Sequence, residues 1–342
     1  MKVCVFGAGA LGGFIAACLA RDGRHDISAV MRGRRLAEVQ EKGLICEIRD
    51  GLSWETAVRT SADGADLGPQ DIVFVTLKAP AIPGAVDSIK SLLGPDTTVV
   101  FVMNGVPWWY YHKHGGAQEG RRFELLDPSG RIWDTIGPHR VLGGVAHCST
   151  AIRPDGFIYI DYPDFHFEIG EPASPTSERL SGVVRMMNDA ALNASAAVNI
   201  RQCIWAKLAL NMATGPNTVL TQCSLRDMCA QPGVLDAVER MIGESISIAR
   251  AAGVELDIDI KAAAARLSKS AHKPSILQDL EAGRPMEIDG LYRIPLGIGR
   301  SLGIATPTLD LTIGLAILRA RAAGLYPPWP TVTEPYEVAE KV

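Results

Sequence analysis

A glycine-rich turn near the N-terminus constrains the fold of this chain more than any other feature. The segment Gly7-Ala8-Gly9-Ala10-Leu11-Gly12 follows the apolar run Lys2–Phe6 and opens the helical pattern Leu11–Arg21. In a GxGxxG turn the glycines permit the tight turn, the approach of a pyrophosphate and close packing of helix on strand. The helix N-terminus then holds the phosphates. A bare GxGxxG also occurs in structural turns, but a second strand, Asp26–Met31, follows in register and favours a dinucleotide site.

The first half of the chain alternates short apolar runs with helical segments. Asp71–Leu77 and Thr97–Val102 are nearly continuous β-branched runs, typical of strands buried on both faces. We predict crossover helices at Arg34–Glu41 and Ile82–Leu93. The alternation predicts an α/β fold with a Rossmann-type doubly wound sheet.

A strong turn signal, Arg153-Pro154-Asp155-Gly156, separates two extended runs at Val145–Ile152 and Phe157–Tyr162. We interpret these runs as a hairpin added to the sheet. The segment from Pro107 to Pro138 has no clear period but contains four consecutive aromatic residues, Trp108 to Tyr111. A loop this long is functional or disordered, and its aromatic content argues against disorder. We predict that it borders the binding cleft and shapes the pocket.

From about Pro175 the apolar period is helical almost to the end of the chain. The predicted helices are Glu178–Asn193, Ile204–Ala213, Val234–Ala252, Lys261–Leu267, Met286–Leu302 and Thr308–Arg321. Gly253, Gly303 and Gly324 stand where C-terminal caps belong. A chain of 342 residues favours two domains, which we place at 1–198, with the aromatic insertion at about 107–138, and 199–342. The tail beyond Tyr326 is expected to fray or lie on the surface.

Composition excludes several classes of protein. The formal net charge is -4 and no basic block occurs, which argues against a nucleic-acid partner or an anionic membrane partner. The seven cysteines are scattered without a CxxC pair, as expected in a reducing compartment. Neither a signal peptide nor a membrane span fits the apolar pattern. We therefore predict a cytoplasmic protein.

The end of the second strand bears on which dinucleotide binds. NAD sites usually carry an acidic residue there to hold the ribose hydroxyl, whereas this chain has Arg32, followed by Arg34 and Arg35. A guanidinium suits a 2'-phosphate through charge-assisted hydrogen bonds. Arg32 therefore favours NADP (NADPH) over NAD, with a solvated basic loop as the alternative.

Further motifs follow in order along the chain. They are Thr76-Leu77-Lys78, Met103-Asn104-Gly105, Trp205-Ala206-Lys207 with Asn211, Met286-Glu287-Ile288-Asp289, and Gly303-Ile304-Ala305-Thr306-Pro307. Together with the glycine-rich turn, they resemble the ketopantoate reductase (2-dehydropantoate 2-reductase) family from Lys2 to about Arg319. The resemblance implies a Rossmann domain followed by an all-α domain for substrate binding and dimerisation, with the active site in the cleft between them.

The resemblance also implies NADPH-dependent reduction of a 2-oxo acid to a 2-hydroxy acid, with ketopantoate and pantothenate biosynthesis as the family's setting. It implies that Lys207 and Glu287 are catalytic, and that Lys78 and Asn104 lie near the nicotinamide. The implied substrate-binding residues are Asn104, Asn211, Ser275 and Glu287. Independently, a lysine ammonium stabilises charge that develops on a carbonyl oxygen and can then supply the proton. Lys207 and Asn211 are four residues apart, so both project from one helical face.

Each of these residues also has a simpler interpretation. Lys207 fits a surface lysine, Asn104-Gly105 fits a turn, and Ser275 fits an N-cap of Ile276–Glu281. Glu287 fits a solvated helical residue.

The chain departs from the family pattern in four places. Gly215 stands where a second substrate-binding asparagine is common, Met286 where threonine is common, and Pro274 where a second serine is frequent. The aromatic segment from Pro107 to Pro138 is also longer than the usual connection. These departures leave two substrates open, which are ketopantoate and a bulkier or more apolar 2-oxo acid.

Two other functions remain open from the sequence. One is an NAD-dependent D-2-hydroxy acid dehydrogenase on the same scaffold, and the other is a non-catalytic dinucleotide-binding protein. His112, His114, His139 and His147 lack the spacing of a metal site, and we predict none. We expect a small-molecule 2-oxo acid as the partner and leave a homodimer open.

Overall fold

The computed structural model describes residues 1–49, 51–161, 164–173 and 175–327. The chain falls into two compact units. Unit 1 comprises Met1–Met103, Trp108–Arg122 and Asp127–Ile200; unit 2 comprises Asn104–Pro107, Phe123–Leu126 and the chain from Arg201 onward. Two short segments predicted to lie in the first domain thus belong to unit 2. The tail that the sequence analysis expects to fray or lie on the surface falls, from residue 328 onward, outside the residues that the structure describes.

Unit 1 is built on an eight-stranded sheet with the order β12-β11-β8-β7-β6-β1-β2-β5. Its strands are β1 (Lys2–Phe6), β2 (Asp26–Val30), β5 (Arg59–Ser61), β6 (Gln70–Val75), β7 (Leu93–Val102), β8 (Val141–His147), β11 (His166–Gly170) and β12 (Ala194–Ala196). Six consecutive strands of this order, β8-β7-β6-β1-β2-β5, are parallel to one another. On the other side of β8, β11 pairs with it in antiparallel orientation. The buried residues of β1, β6 and β7 are mostly β-branched or aromatic, as the apolar runs predicted. The predicted fold class is confirmed.

A second, four-stranded sheet in unit 1 has the order β4-β3-β10-β9. It comprises β3 (Leu44–Ile48), β4 (Ser53–Thr56), β9 (Thr150–Ile152) and β10 (Ile158–Ile160). The hairpin predicted around Arg153 to Gly156 forms, but its strands join this second sheet, because β10 pairs with β3. The prediction that the hairpin joins the main sheet was wrong. The residues of a turn determine that two strands pair with each other, but they do not determine which third strand pairs with them.

The helices of unit 1 are α1 (Ala10–Asp22), α2 (Gly33–Lys42), α3 (Val86–Lys90), α4 (Arg131–Ile136) and α5 (Glu178–Asp189). The long helix predicted at Ile82–Leu93 was wrong, because two short 3-10 turns lead into the five-residue α3. Pro83 and Gly84 stand in this stretch and disfavour a continuous α-helix. Of the described helices, none has the length and apolar composition that a bilayer crossing requires.

Unit 2 is helical. It contains α6 (Ile200–Thr221, whose first residue lies in unit 1), α7 (Leu225–Cys229), α8 (Pro232–Ala251), α9 (Ile260–Leu267), α10 (Ser275–Glu281), α11 (Ile294–Ser301) and α12 (Pro307–Ala322). The helix predicted at Met286–Leu302 starts late. Residues 284–288 have no regular structure, and a π-helical turn, Asp289–Arg293, precedes α11. The predicted caps Gly253, Gly303 and Gly324 all have positive φ.

The aromatic run after Pro107 is part of the core of unit 1. Trp108, Trp109, Tyr110 and Tyr111 are all buried. The Trp108 ring lies edge-on to Phe101 at 5.5 Å, and a Cβ on Gly143 would lie 2.6 Å from the Trp109 ring. This packing gives Trp108 and Trp109 a structural role, and the same segment also contains α4. That the segment borders the binding cleft stays a prediction.

Candidate functional site

The glycine-rich turn joins β1 to α1. Gly7 has φ +94°, a conformation that favours glycine, and its N–H donates to Val30 O at 2.9 Å. A Cβ on Gly12 would lie 2.2 Å from Thr76 Oγ1 and 2.7 Å from Gly7 O. Thr76 Oγ1 donates to Gly7 O at 2.9 Å and so fixes the turn from the neighbouring strand. The motif by itself does not reveal this role of Thr76, because the two residues are 69 positions apart.

The space around Gly9 suits a bound pyrophosphate. A Cβ on Gly9 would approach only Gly7 O, at 3.9 Å, so this glycine is not required by packing within the protein. Ala10 and Leu11 begin α1, where the first N–H groups of a helix have no acceptor within the helix. An exposed glycine before a helix N-terminus therefore leaves donors for phosphate oxygens.

Three arginines follow β2, and their surroundings differ. Arg34 pairs with Glu38 at 2.5 Å, and Arg35 donates to Gly156 O at 2.7 Å. Arg32 is exposed, its Nε lies 3.4 Å from Ala62 O, and it forms no ion pair with the residues that the structure describes. Arg32 is therefore the arginine of the three that a ligand phosphate could engage without breaking an ion pair.

An acidic residue that was not among the predicted site residues lies near Arg32. The Asp63 side chain accepts hydrogen bonds from Ala65 N at 3.1 Å and Ser88 Oγ at 2.8 Å. These hydrogen bonds, with a smaller contribution from the Arg32 guanidinium, hold the pKa of Asp63 below its usual range. Asp63 thus carries a negative charge close to the position that would hold a 2'-phosphate.

Lys78 lies at the carboxyl edge of the main sheet. It follows β6 and precedes a short 3-10 turn, Ala79–Ala81, and its side chain is exposed. Ligands of doubly wound folds bind at this edge of the sheet.

A hydrogen bond joins Lys207, a predicted catalytic residue, to Asn104, a predicted cofactor- and substrate-binding residue. Lys207 Nζ, on α6, donates to Asn104 Oδ1 at 2.8 Å across 103 positions of sequence. Both residues belong to unit 2. Because an ammonium only donates, the Asn104 amide presents its oxygen to Lys207 and keeps its NH₂ group as a donor.

Backbone packing holds Asn104 in place. Gly105 has φ +80°, and a Cβ there would lie 2.5 Å from the carbonyl carbon and oxygen of Gly290. Val106 N donates to Gly290 O at 2.9 Å. Asn104-Gly105 is therefore more than a turn, because the backbone of the π-helical turn anchors it.

The other predicted substrate residues have different surroundings. Asn211 lies one turn after Lys207 on α6 and is half-buried. Glu287 is buried and lies outside any helix, so its interpretation as a solvated helical residue was wrong. Ser275 is exposed and is the first residue of α10; the N-cap is Pro274, so the capping interpretation was also wrong.

Among the residues that the structure describes, one group of metal-ligand type forms, where the end of β8 meets the start of β11. His147 on β8 faces His166 on β11, and the two rings stack at 4.2 Å. His147 Nε2 lies 3.0 Å from Glu168 Oε2, and the ligand atoms of the three residues are within 4.8 Å of one another. Sequence spacing gives no sign of this group, because strand pairing creates it. The prediction that the chain has no metal site stays a prediction.

Comparisons with known proteins agree with one family over both units. The family model Ketopantoate reductase PanE/ApbA matches residues 3–114, and the model Ketopantoate reductase PanE/ApbA C terminal matches residues 199–320. A 2-dehydropantoate 2-reductase of Mesorhizobium japonicum is 40% identical over 331 residues, which cover 95% of this chain and 100% of that protein.

Solved structures show the same fold. A candidate ketopantoate reductase from Ralstonia solanacearum MolK2 has a TM-score of 0.88 and 36% identity, covering 95% of this chain and 99% of the other. D-mandelate dehydrogenase, solved with NADH and anilino(oxo)acetate, has a TM-score of 0.79 at 18% identity, covering 95% of this chain and 100% of the other. The identity to a curated relative over nearly the whole chain, with matches to both family models, leads to one conclusion. The chain belongs to the ketopantoate reductase family of oxidoreductases.

Proposed function

We propose that this protein is an NADPH-dependent reductase that converts a 2-oxo acid into a 2-hydroxy acid. The Lys207–Asn104 hydrogen bond supports this proposal most directly, because it orients an ammonium beside an amide donor. Bound NADPH supplies the hydride that adds to the carbonyl carbon. The glycine-rich turn and Arg32 are the proposed cofactor-binding residues, with Lys78 and Asn104 toward the nicotinamide.

In this proposal Lys207 acts on the carbonyl oxygen. Its ammonium donates a hydrogen bond to that oxygen while negative charge develops there, and then transfers a proton to it. The products are the 2-hydroxy acid, NADP⁺ and a neutral lysine amine that regains its proton from water. Asn104 positions the ammonium, while Asn211, Ser275 and Glu287 are the proposed substrate-binding residues.

A direct experiment tests this function. Purified protein is incubated with NADPH and each of a panel of 2-oxo acids, including ketopantoate and phenylglyoxylate, and the loss of reduced-nicotinamide absorbance is followed. We expect turnover with at least one acid. Tight NADPH binding without turnover of any acid in the panel would favour a non-catalytic dinucleotide-binding protein instead.

A second candidate function is NAD-dependent oxidation of a D-2-hydroxy acid. The similarity in fold to D-mandelate dehydrogenase, which was solved with NADH and an oxo acid, favours including it. The nearby Asp63 carboxylate also fits a ribose hydroxyl better than a phosphate. Faster oxidation of D-mandelate with NAD⁺ than reduction of any 2-oxo acid with NADPH would select this candidate.

The role of Arg32 gives a prediction for cofactor choice. Replacing Arg32 with alanine removes hydrogen bonds to a 2'-phosphate that are worth about 1.5–3 kcal/mol. We expect the KM for NADPH to rise roughly 10- to 150-fold and the KM for NADH to change little. Steady-state kinetics with both cofactors measures this difference.

Arg34→Ala is the matched control, since Arg34 is exposed and already paired with Glu38. It should leave the ratio of the two KM values unchanged. Equal increases for NADPH and NADH in Arg32→Ala would show that Arg32 does not select the 2'-phosphate.

A further inference from the structure

The pairing of β8 with β11 places three side chains of metal-ligand type on one face of the main sheet. His147, the last residue of β8, lies directly opposite His166, the first residue of β11, in the antiparallel ladder. Glu168 follows His166 by two residues, so the three side chains share one face of the strand pair. Ala146 and Phe167 belong to the opposite face and are buried in the core of unit 1. The register of one strand pair therefore sets the positions of all three side chains.

The donor atoms of these side chains are already close together. His147 Nε2 lies 3.0 Å from Glu168 Oε2, and one donor atom of each of the three residues lies within 4.8 Å of the other two. Donor atoms around a tetrahedral zinc ion are about 3.3 Å apart, given bonds of about 2.0–2.1 Å. The side chains of His147 and Glu168 are 34% and 29% exposed, which leaves them room to rotate. Shifts of up to about 1.5 Å bring the three donor atoms to a common ion.

The two imidazole rings must leave their stacked arrangement when an ion binds. The rings of His147 and His166 are 4.2 Å apart and their planes differ by only 8°. The lone pair of an imidazole nitrogen lies in the plane of its ring, so the lone pairs of two parallel rings do not meet at one point. A shared ion therefore requires the planes to tilt, and this change gives the binding a signature of its own.

The donor set indicates which ions fit this place. Two imidazole nitrogens and one carboxylate oxygen suit zinc and the other late divalent ions of the first transition row. Mg²⁺ and Ca²⁺ prefer sites made of oxygen donors. The ionised Glu168 carboxylate only accepts, so it can bind a cation without first giving up a hydrogen-bond donor.

We propose that His147, His166 and Glu168 form a binding site for one Zn²⁺ ion, which joins the end of β8 to the start of β11. Water completes the coordination, because three protein ligands leave a position of the tetrahedron open. Between these two strands the chain forms β9 and β10 of the second sheet, so the ion fastens the main sheet where the chain leaves it and returns. An ion that binds the folded chain more tightly than the unfolded chain stabilises the fold.

This site is independent of the proposed function and replaces the prediction that the chain has no metal site. That prediction considered only the spacing of histidines along the chain, whereas His147 has its partner ligands on the opposite strand. None of the three ligands is among the residues proposed to bind the cofactor or the substrate. A failure of either proposal therefore leaves the other standing.

Titration calorimetry with ZnCl₂ tests the site on the full chain, after removal of bound metal and with the cysteines kept reduced. Loss of a residue that only supports a metal ligand costs about 10- to 100-fold in affinity, so loss of a ligand should cost at least as much. We expect one equivalent of Zn²⁺ to bind the wild-type protein, and its Kd to rise by at least that factor in His147→Ala, His166→Ala and Glu168→Gln. MgCl₂ should not bind at this site.

His272→Ala is the matched control, because His272 is an exposed histidine of unit 2. It should bind Zn²⁺ as the wild-type protein does. Isotherms that are the same for the wild type and for all three ligand variants would overturn the inference, whether or not they show binding.

Nuclear magnetic resonance of the histidine rings locates the ion without any substitution at the site. One equivalent of Zn²⁺ should shift the ring signals of His147 and His166, since both rings bind the ion and their stack opens, while the signals of His272 stay in place. Signals of His147 and His166 that do not respond to Zn²⁺ would overturn the inference. Zn²⁺ should also raise the midpoint of thermal unfolding of the wild-type protein more than that of His166→Ala.

Discussion

Replacing Lys207 with alanine is expected to lower kcat by about 10²–10³-fold, the loss seen when one donor to a developing oxyanion is removed. The effect is large because the ammonium acts most strongly in the transition state, when the carbonyl oxygen carries negative charge. The affinity for NADPH should barely change, because the proposed role of Lys207 is to act on the carbonyl oxygen of the substrate and not on the phosphates of the cofactor. Steady-state kinetics on the best substrate, with circular dichroism to check folding, measures this result.

Two further variants sharpen the interpretation. Lys207→Arg keeps the charge but is a poor proton donor with different geometry, so it should restore only part of kcat. Lys269→Ala removes an exposed lysine elsewhere in unit 2 and should leave kcat unchanged. A folded Lys207→Ala variant with nearly normal kcat would move the proton donor elsewhere, and Lys78 would be tested next.

The Lys207–Asn104 contact predicts how two losses combine. If Asn104 acts by holding the ammonium, Asn104→Ala should lower kcat less than Lys207→Ala does. Once Lys207 is replaced, the additional loss of Asn104 should have little effect, because residues that act as a unit are not additive. Fully additive losses would show that the two side chains contribute independently.

The second large effect is expected in the glycine-rich turn, where Gly9→Ala and Gly12→Ala should behave differently. A Cβ on Gly9 meets only Gly7 O at 3.9 Å, so the free energy of unfolding should stay within about 0.5 kcal/mol of wild type. The same methyl group would stand where the pyrophosphate approaches. By analogy with overpacking, we expect binding to weaken by about 1–3 kcal/mol, or roughly 5- to 150-fold in Kd for NADPH.

Gly12→Ala should instead affect the protein without ligand. Its Cβ would overlap Thr76 Oγ1 and the backbone oxygen of Gly7, which forces the turn to shift. We expect unfolding to become easier by about 1–3 kcal/mol, together with loss of NADPH affinity. Chemical denaturation and fluorescence titration with NADPH measure the two quantities.

Gly182→Ala is the matched control, because a Cβ at this position of α5 meets no atom within 4 Å. It should stabilise the protein slightly and leave the Kd for NADPH unchanged. Loss of stability in Gly9→Ala, or normal NADPH binding in that variant, would contradict the proposed role of Gly9.

Much of the fold was determined by local sequence. The strand and the helix around Gly7 follow from the period of apolar side chains, and the turn follows from the ability of glycine to adopt positive φ. Both depend only on residues close together in the sequence. The buried parallel strands and the helical second half were predictable for the same reason. The family was recognisable because its motifs keep their order along the chain, and the comparisons confirm it.

Long-range contacts decided what local sequence could not. The hairpin around Arg153 forms as its turn predicts, yet pairing with β3 determines its sheet. Glu287 falls in an apolar helical period, but the chain there is irregular and the side chain is buried. Lys207 hydrogen-bonds to Asn104 across 103 positions of sequence. The lack of a side chain at Gly215 leaves room for the Tyr292 phenol, because a Cβ there would lie 2.1 Å from Tyr292 Oη. The period of apolar side chains depends on residues within one or two helical turns. The arrangements above depend instead on which distant surfaces pack against each other and bury apolar area, and only folding of the whole chain determines that.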